Sequence, residues 1–168
     1  MHHREGIAPR VLTVLPFALT IACLLSTAGR PDGRRESVAA YIKRVNPAFP
    51  NAHEAANQLL YAEAKGGAKA ELMAAMVAVE RHWRLEADDQ YGAANLCQIT
   101  RGTAKATFGR SRARSWQENL LWGSCILAGC IKGEGDEKRG LRRYNGGPLW
   151  RQKPATLRYA EAVLKCRP

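Results

Sequence analysis

Between Ala68 and Trp83 the chain contains no glycine or proline and is rich in Ala, Leu, Met and Glu, the strongest helix formers. Leu72, Met76, Val79 and Trp83 recur at helical spacing and make one apolar stripe. A helix of this kind needs other elements to cover its stripe. At 168 residues the chain has room for one core. The expectation is therefore a single, mainly helical domain.

The flanking sequence supplies the covering elements. Val38, Tyr41, Ile42 and Val45 keep a helical period until Asn46-Pro47 stops it. Asn51 with Glu54 has the form of a capping box opening a helix over His53 to Lys65, which Gly66-Gly67 closes. Asn95 to Ile99 reads as a short extended piece or tight turn, and Thr100 caps a short helix reaching Phe108. Ser115 with Glu118 is a second capping box, opening an apolar helix from Trp116 to Ile131 that is polar only at its ends and is expected to be buried. Gly133, Gly135 and Gly140 loosen the next stretch, Tyr144-Asn145-Gly146-Gly147-Pro148 is a turn signal, and a final helix runs from Pro154 to Leu164.

The charge narrows the partners. With 26 Lys+Arg against 15 Asp+Glu the formal charge is +11 and the pI near 9.9, so the partner is acidic: nucleic acid, an anionic membrane surface, or a cell wall whose stem peptides carry carboxylates. Arg4 and Arg10 precede the apolar run Val11 to Leu25, and Ser26-Thr27-Ala28 places small residues where a signal peptidase cuts. We expect residues 1–28 to be a signal peptide, 29–35 a linker and 36–168 the folded domain. The apolar run is short for a membrane span, so no stable span is expected after cleavage. An exported protein of the periplasm or cell envelope is implied, and nucleic acid is disfavoured. The basic run Arg110-Ser111-Arg112-Ala113-Arg114 reads as a solvated loop.

Beyond the signal lie Cys97, Cys125, Cys130 and Cys166, an even number that admits two disulfides in three pairings. The sequence does not choose among the three; Cys97 with Cys125 and Cys130 with Cys166 is the pairing expected here, and a bond at Cys97 would rigidify the neighbouring Gln98. There is no CxxC pair and no spaced histidine motif, so neither a metal nor another cofactor is expected.

Glu80 sits on the margin of the apolar stripe, near Met76, Val79 and Trp83. Partial burial there disfavours the charged form and suits a general acid, whereas pairing with Arg81 or Arg84 would give a structural helix-end carboxylate. Both readings are open from this helix alone.

Four segments taken together go further: Met76-Val77-Ala78-Val79-Glu80, Gly92-Ala93, Asn95-Leu96-Cys97-Gln98-Ile99-Thr100 and Tyr144-Asn145-Gly146-Gly147-Pro148. Over roughly Asn51 to Leu164 they resemble the soluble lytic transglycosylase (SLT) domain, a goose-lysozyme-like fold. In that family a Glu closes a helix, a Gly-Leu-Met-Gln stretch follows eighteen residues on, and a Tyr-Asn-Ala-Gly-Pro turn comes later. Gln98 stands eighteen residues after Glu80, and Asn119, Gly123, Thr156 and Tyr159 fit later positions. Three positions depart from the pattern: Arg81 for the usual Ser, Trp83 for Phe, and Asn95 for the Gly.

The resemblance implies a lysozyme-like fold with a small extended segment near the site, and cleavage of peptidoglycan glycan strands without a cofactor. Glu80 would protonate the oxygen between N-acetylmuramic acid and N-acetylglucosamine, then remove the proton from the muramic C6 hydroxyl, leaving a 1,6-anhydro product. One carboxylate then suffices where a hydrolase uses two. Gln98, Tyr144 and Asn145 match substrate-binding positions and Tyr159 lines the cleft; of the tryptophans that could offer a sugar-stacking face, Trp83 is the one near the catalytic helix end. Small enzymes of this kind serve wall turnover, secretion or conjugation machines, and phage entry. Two alternatives stand beside this one: a muramidase using Glu80 with Asp89, and an inactive wall-binding module in which Arg81 disables the Glu.

Overall fold

The computed structural model describes residues 31–85 and 93–168. Along these residues run α1 (Pro31–Val45), α2 (Ala52–Gly66), α3 (Ala70–Arg81), a hairpin of β1 (Ala93–Ala94) and β2 (Ile99–Thr100), α4 (Arg101–Phe108), α5 (Trp116–Glu134), α6 (Glu137–Gly146), a 3₁₀ segment (Gly147–Gln152) and α7 (Ala155–Lys165). The molecule is mainly helical, as its periodicity predicts. The signal segment and Asp89 lie outside the described residues. No helix among the described residues is long and apolar enough to cross a membrane.

The helix with the cleanest stripe is the centre of the fold. Residues Leu72 through Ala78 of α3 are all buried, because α1, α2, α5 and α7 each pack against it. Covering of this extent explains why its spacer residues are alanines as well as larger apolar groups: a helix apolar all round belongs inside. The expected all-round burial of α5 is corrected. Asn119, Leu120, Trp122, Gly123, Ser124 and Leu127 are buried, while Ile126 and Cys130 are half-exposed and Gly129 is exposed.

From α5 onward the chain packs sequentially, α5 on α6 and α6 on α7. Gly140 does not loosen this hairpin but permits it: a Cβ there would lie 2.7 Å from Ile131 Cα and 2.9 Å from Ile131 N. The glycine lets two helix backbones approach closely.

Two helix starts differ from expectation. Helix α1 begins at Pro31, inside the expected linker, because Arg34 bridges Glu63 of α2 at 2.7 Å and Glu71 of α3 at 2.8 Å. The Asn51 side chain makes no cap, and Glu54 instead accepts from Gln117 Nε2 of α5 at 2.9 Å. The other two caps form, with Thr100 Oγ1 accepting from Thr103 N at 3.3 Å and Ser115 Oγ from Glu118 N at 3.2 Å. The Glu118 carboxylate turns to Arg110 and to Arg114 N rather than completing the box, which draws the basic run onto α5. Arg110 also lies over the Trp122 ring, 4.8 Å from its centroid.

Candidate active site

Helix α3 ends in an uncommon way. His82 and Trp83 both have positive φ, 49° and 57°, in the region that suits glycine and is unfavourable for side chains with a Cβ. Tertiary contacts hold them there. Asn46 Nδ2 donates to Trp83 O at 2.9 Å, Trp83 Nε1 donates back to Ala74 O at 3.3 Å, and Phe49 meets the indole edge-on with centroids 5.4 Å apart. Trp83 is 0% exposed. It therefore plugs the core beneath the helix end and presents no face for a sugar to stack on, contrary to the sequence expectation.

That plug fixes the last turn of α3, on which Glu80 is half-buried. Tyr159 of α7 donates its phenol proton to Glu80 Oε1 at 2.7 Å. Burial, then the Glu80 charge, hold Tyr159 well above the ordinary phenol value, so it is a permanent donor. Tyr144 is raised in the same way, by burial first and then by Cys97 and Glu80, and the thiol of Cys97 by burial and then Glu80. Glu80, Tyr144, Tyr159 and Cys97 thus share one electrostatic neighbourhood, although 79 residues of chain separate its ends.

The segment from Asn95 to Ile99 is the tight turn of the hairpin, with Ala93 opposite Thr100 and Ala94 opposite Ile99. Its two corners, Asn95 (φ 64°) and Gln98 (φ 47°), also take positive φ. Gln98 Nε2 closes the turn onto Asn95 O at 2.7 Å. Helices hold the residue between them from two sides. Buried Asn119 of α5 accepts from Cys97 N at 2.9 Å, and Tyr144 of α6 donates to Cys97 O at 2.7 Å. All four positive-φ residues other than glycine among the described residues flank this site. Strain held in place by surrounding structure is common where geometry serves a function.

Tyr144 and Asn145 lie in the last turn of α6 rather than in a free turn, which Gly147 (φ 66°) begins one residue after the helix. Asn145 is solvent-exposed there. Gln98 and Tyr144 line a notch of about 50 Å³ with Ile99, Thr100, Thr103 and Ile126. A second cavity of about 180 Å³ shares Thr103, Ile126 and Tyr144 and continues to Cys130, Arg143 and Pro148. This extension was missed from sequence, although Ile126 and Cys130 stand four apart on one helix face and Arg143 adjoins Tyr144. A larger apolar hollow of about 310 Å³ lies at the ends of α1, α3 and α7, lined by Tyr41, Val45, Ala78, Val79, His82 and Cys166. Among the described residues no carboxylate lines it, and the motif residues in its wall are Ala78 and Val79, which precede Glu80 in the chain.

Cys97, Cys125, Cys130 and Cys166 are free thiols, so neither expected disulfide is formed. Cys97 packs against Gly123, where a Cβ would meet its sulfur at 2.5 Å, and Cys125 two residues on faces a different side of α5. Cys130 lines the cleft with Tyr144, whereas Cys166 lines the hollow beside Tyr41. No group of three metal-ligating side chains occurs among the described residues. The other tryptophans are structural: Trp116 against Phe49, Trp122 stacked on Phe108 at 4.2 Å, and buried Trp150 between Arg142 and Arg151. Comparison of the chain with known protein families, curated proteins and solved structures finds no match.

Proposed function

We propose that this protein is a peptidoglycan lytic transglycosylase with a lysozyme-like fold and Glu80 as its acid and base. The observation that carries the reading is the convergence of distant motif residues. The Tyr159 phenol on Glu80 joins α7 to the end of α3, the Tyr144 phenol on the carbonyl beside Gln98 joins α6 to the hairpin turn, and the Glu80 charge acts on both Tyr144 and Cys97. The passage from buried Ala78 to half-buried Val79, Glu80 and Arg81 along the last turn of α3 suits a carboxyl group that must exchange a proton with a ligand.

The hydrogen bond from Tyr159 supports a division of labour between the two Glu80 oxygens. Tyr159 keeps its proton, so Oε1 acts as an acceptor whether or not the carboxyl is protonated. The exchangeable proton then resides on Oε2. In this reading Oε2 delivers it to the glycosidic oxygen and, as carboxylate, takes the proton of the muramic C6 hydroxyl, whose oxygen closes on C1 as the glycosidic bond breaks. Tyr159 stabilises the carboxylate formed between the two transfers. The basic surface favours approach to a wall carrying carboxylates, and an exported, envelope location follows from the same reading.

Digestion of purified peptidoglycan followed by mass spectrometry tests it. The expected products carry 1,6-anhydromuramic ends, and Glu80→Gln lowers their release about 100-fold or more while wall binding persists. Reducing ends would establish a hydrolase instead, and wall binding without any cleavage would establish a binding module.

A further inference from the structure

One carboxylate near the cleft is shared by more positive charge than it can balance. The side chain of Glu134, 4% exposed, accepts from Arg143 Nη1 at 2.9 Å, Arg151 Nη2 at 2.6 Å and Trp150 Nε1 at 3.2 Å. Arg143, hydrogen-bonded first, and then burial, Trp150 and the two guanidinium charges decide its ionisation, which is held below the ordinary carboxylate value. Two guanidiniums against one anion leave a positive charge over. Arg142 adds another, its guanidinium 4.3 Å from the centroid of the Trp150 ring.

Arg143 delivers this charge to the cleft. It lines the 180 Å³ cavity, whose remaining wall is largely apolar through Ile126, Cys130 and Pro148, and its side chain is 46% exposed. Proximity is corroborated by Cys130, whose thiol is raised by burial with Arg143 opposing. The cavity and the Gln98 notch share Thr103, Ile126 and Tyr144, and the Glu80 charge acts on Tyr144. Glu134 also fixes the guanidinium in place, which reduces the freedom lost on binding an anion.

We infer that this cavity is a subsite for a short acidic peptide attached to the glycan, with Arg143 on a peptide carboxylate and Ile126 and Pro148 under its apolar side chains. A bare sugar chain would leave the cation unmatched, whereas the lactyl-linked stem peptide of muramic acid brings both a carboxylate and methyl groups. The inference rests on the transglycosylase reading for its choice of ligand, but its test does not need catalysis.

The probe is N-acetylmuramoyl dipeptide with its carboxylates free, compared with the same compound amidated, each titrated into the unaltered protein and followed by NMR. Charge-assisted pairing with a held guanidinium predicts at least about tenfold weaker binding of the amidated form. The Ile126 methyl signals should shift with the free acid. Arg143→Gln should abolish the discrimination and Arg143→Lys should keep part of it, with circular dichroism checking the fold of both. Equal affinity of the two compounds for the unaltered protein overturns the subsite, as does discrimination that survives in a folded Arg143→Gln. Absence of anhydromuramic products with the discrimination intact would instead remove the transglycosylase reading and leave the subsite standing.

Discussion

Tyr159 Oη lies 2.7 Å from Glu80 Oε1, and that hydrogen bond joins α7 to the last turn of α3. Removing its donor takes this hydrogen bond from the carboxyl group while keeping the ring that fills the space. Tyr159→Phe is therefore expected to lower kcat on peptidoglycan about tenfold with little change in KM. A larger effect on KM than on kcat, measured from the rate of muropeptide release, would move Tyr159 from positioning the acid to holding the substrate.

Asn119 supports the site from beneath. Its side chain is buried and satisfies Cys97 N, whose residue in turn receives Tyr144. Asn119→Leu should destabilise the protein by about 1–3 kcal/mol, since a buried N–H loses its acceptor. Urea unfolding measures the loss, and the Tyr144 ring signals should broaden because the turn that anchors its hydroxyl is loosened.

Two glycines should respond in opposite directions. Gly140→Ala drives a methyl against the Ile131 backbone and should cost about 1–3 kcal/mol, because backbone cannot rotate away. Gly129, also helical, has nothing within 4 Å of a built Cβ and no unusual φ. Gly129→Ala should stabilise by about 0.5–1 kcal/mol through helix propensity. Thermal melts of both variants against the parent decide the pair.

Acid stability follows from Arg34. Its hydrogen bonds hold the Glu71 carboxyl below the ordinary value of 4.5, with burial opposing. A depressed carboxyl contributes stability above its unfolded value and loses it as pH falls through its folded value. Arg34→Ala should thus be less stable than the parent by about 1 kcal/mol at neutral pH. The gap should narrow as pH falls below 4.5. A gap independent of pH down to 2 would assign Arg34 a packing role alone.

Thiol titration checks the cysteines. Cys97 is fully buried and its thiol is pushed far up, first by burial and then by Glu80, whereas Cys166 is exposed. In the native protein an aromatic disulfide reagent should modify Cys166 readily and leave Cys97 untouched until denaturant is added.

Where chain-local periodicity decided an element, the sequence was readable. Helix α3, the Ser115 and Thr100 caps, and α7 one residue beyond Pro154 all depend on neighbours within a turn or two. What escaped depended on distant partners. The start of α1 needed Arg34 to find carboxylates 29 and 37 residues away. The inward swing of Trp83 needed Asn46 to hold a left-handed backbone, and no local signal announces that bend. For the candidate site, the sequence singled out Glu80, Gln98 and Tyr144 one by one, but the phenol on Glu80, the Asn119 support and the Arg143 cavity arise only when α5, α6 and α7 are packed. The disulfide pairing failed because counting cysteines says nothing of which helix faces they occupy.

The link between α6 and α7 carries one more consequence. Tyr144, which steadies the turn holding Gln98, and Tyr159, which steadies Glu80, stand on either side of the 3₁₀ segment Gly147–Gln152. Thr156 locks that segment by donating its hydroxyl proton to Lys153 O at 2.8 Å, with Trp150 O also within reach at 3.2 Å. The segment therefore works as a calliper: its length sets the gap between Glu80 and the turn that carries Gln98, and a residue added or removed there would regauge that gap without altering either group.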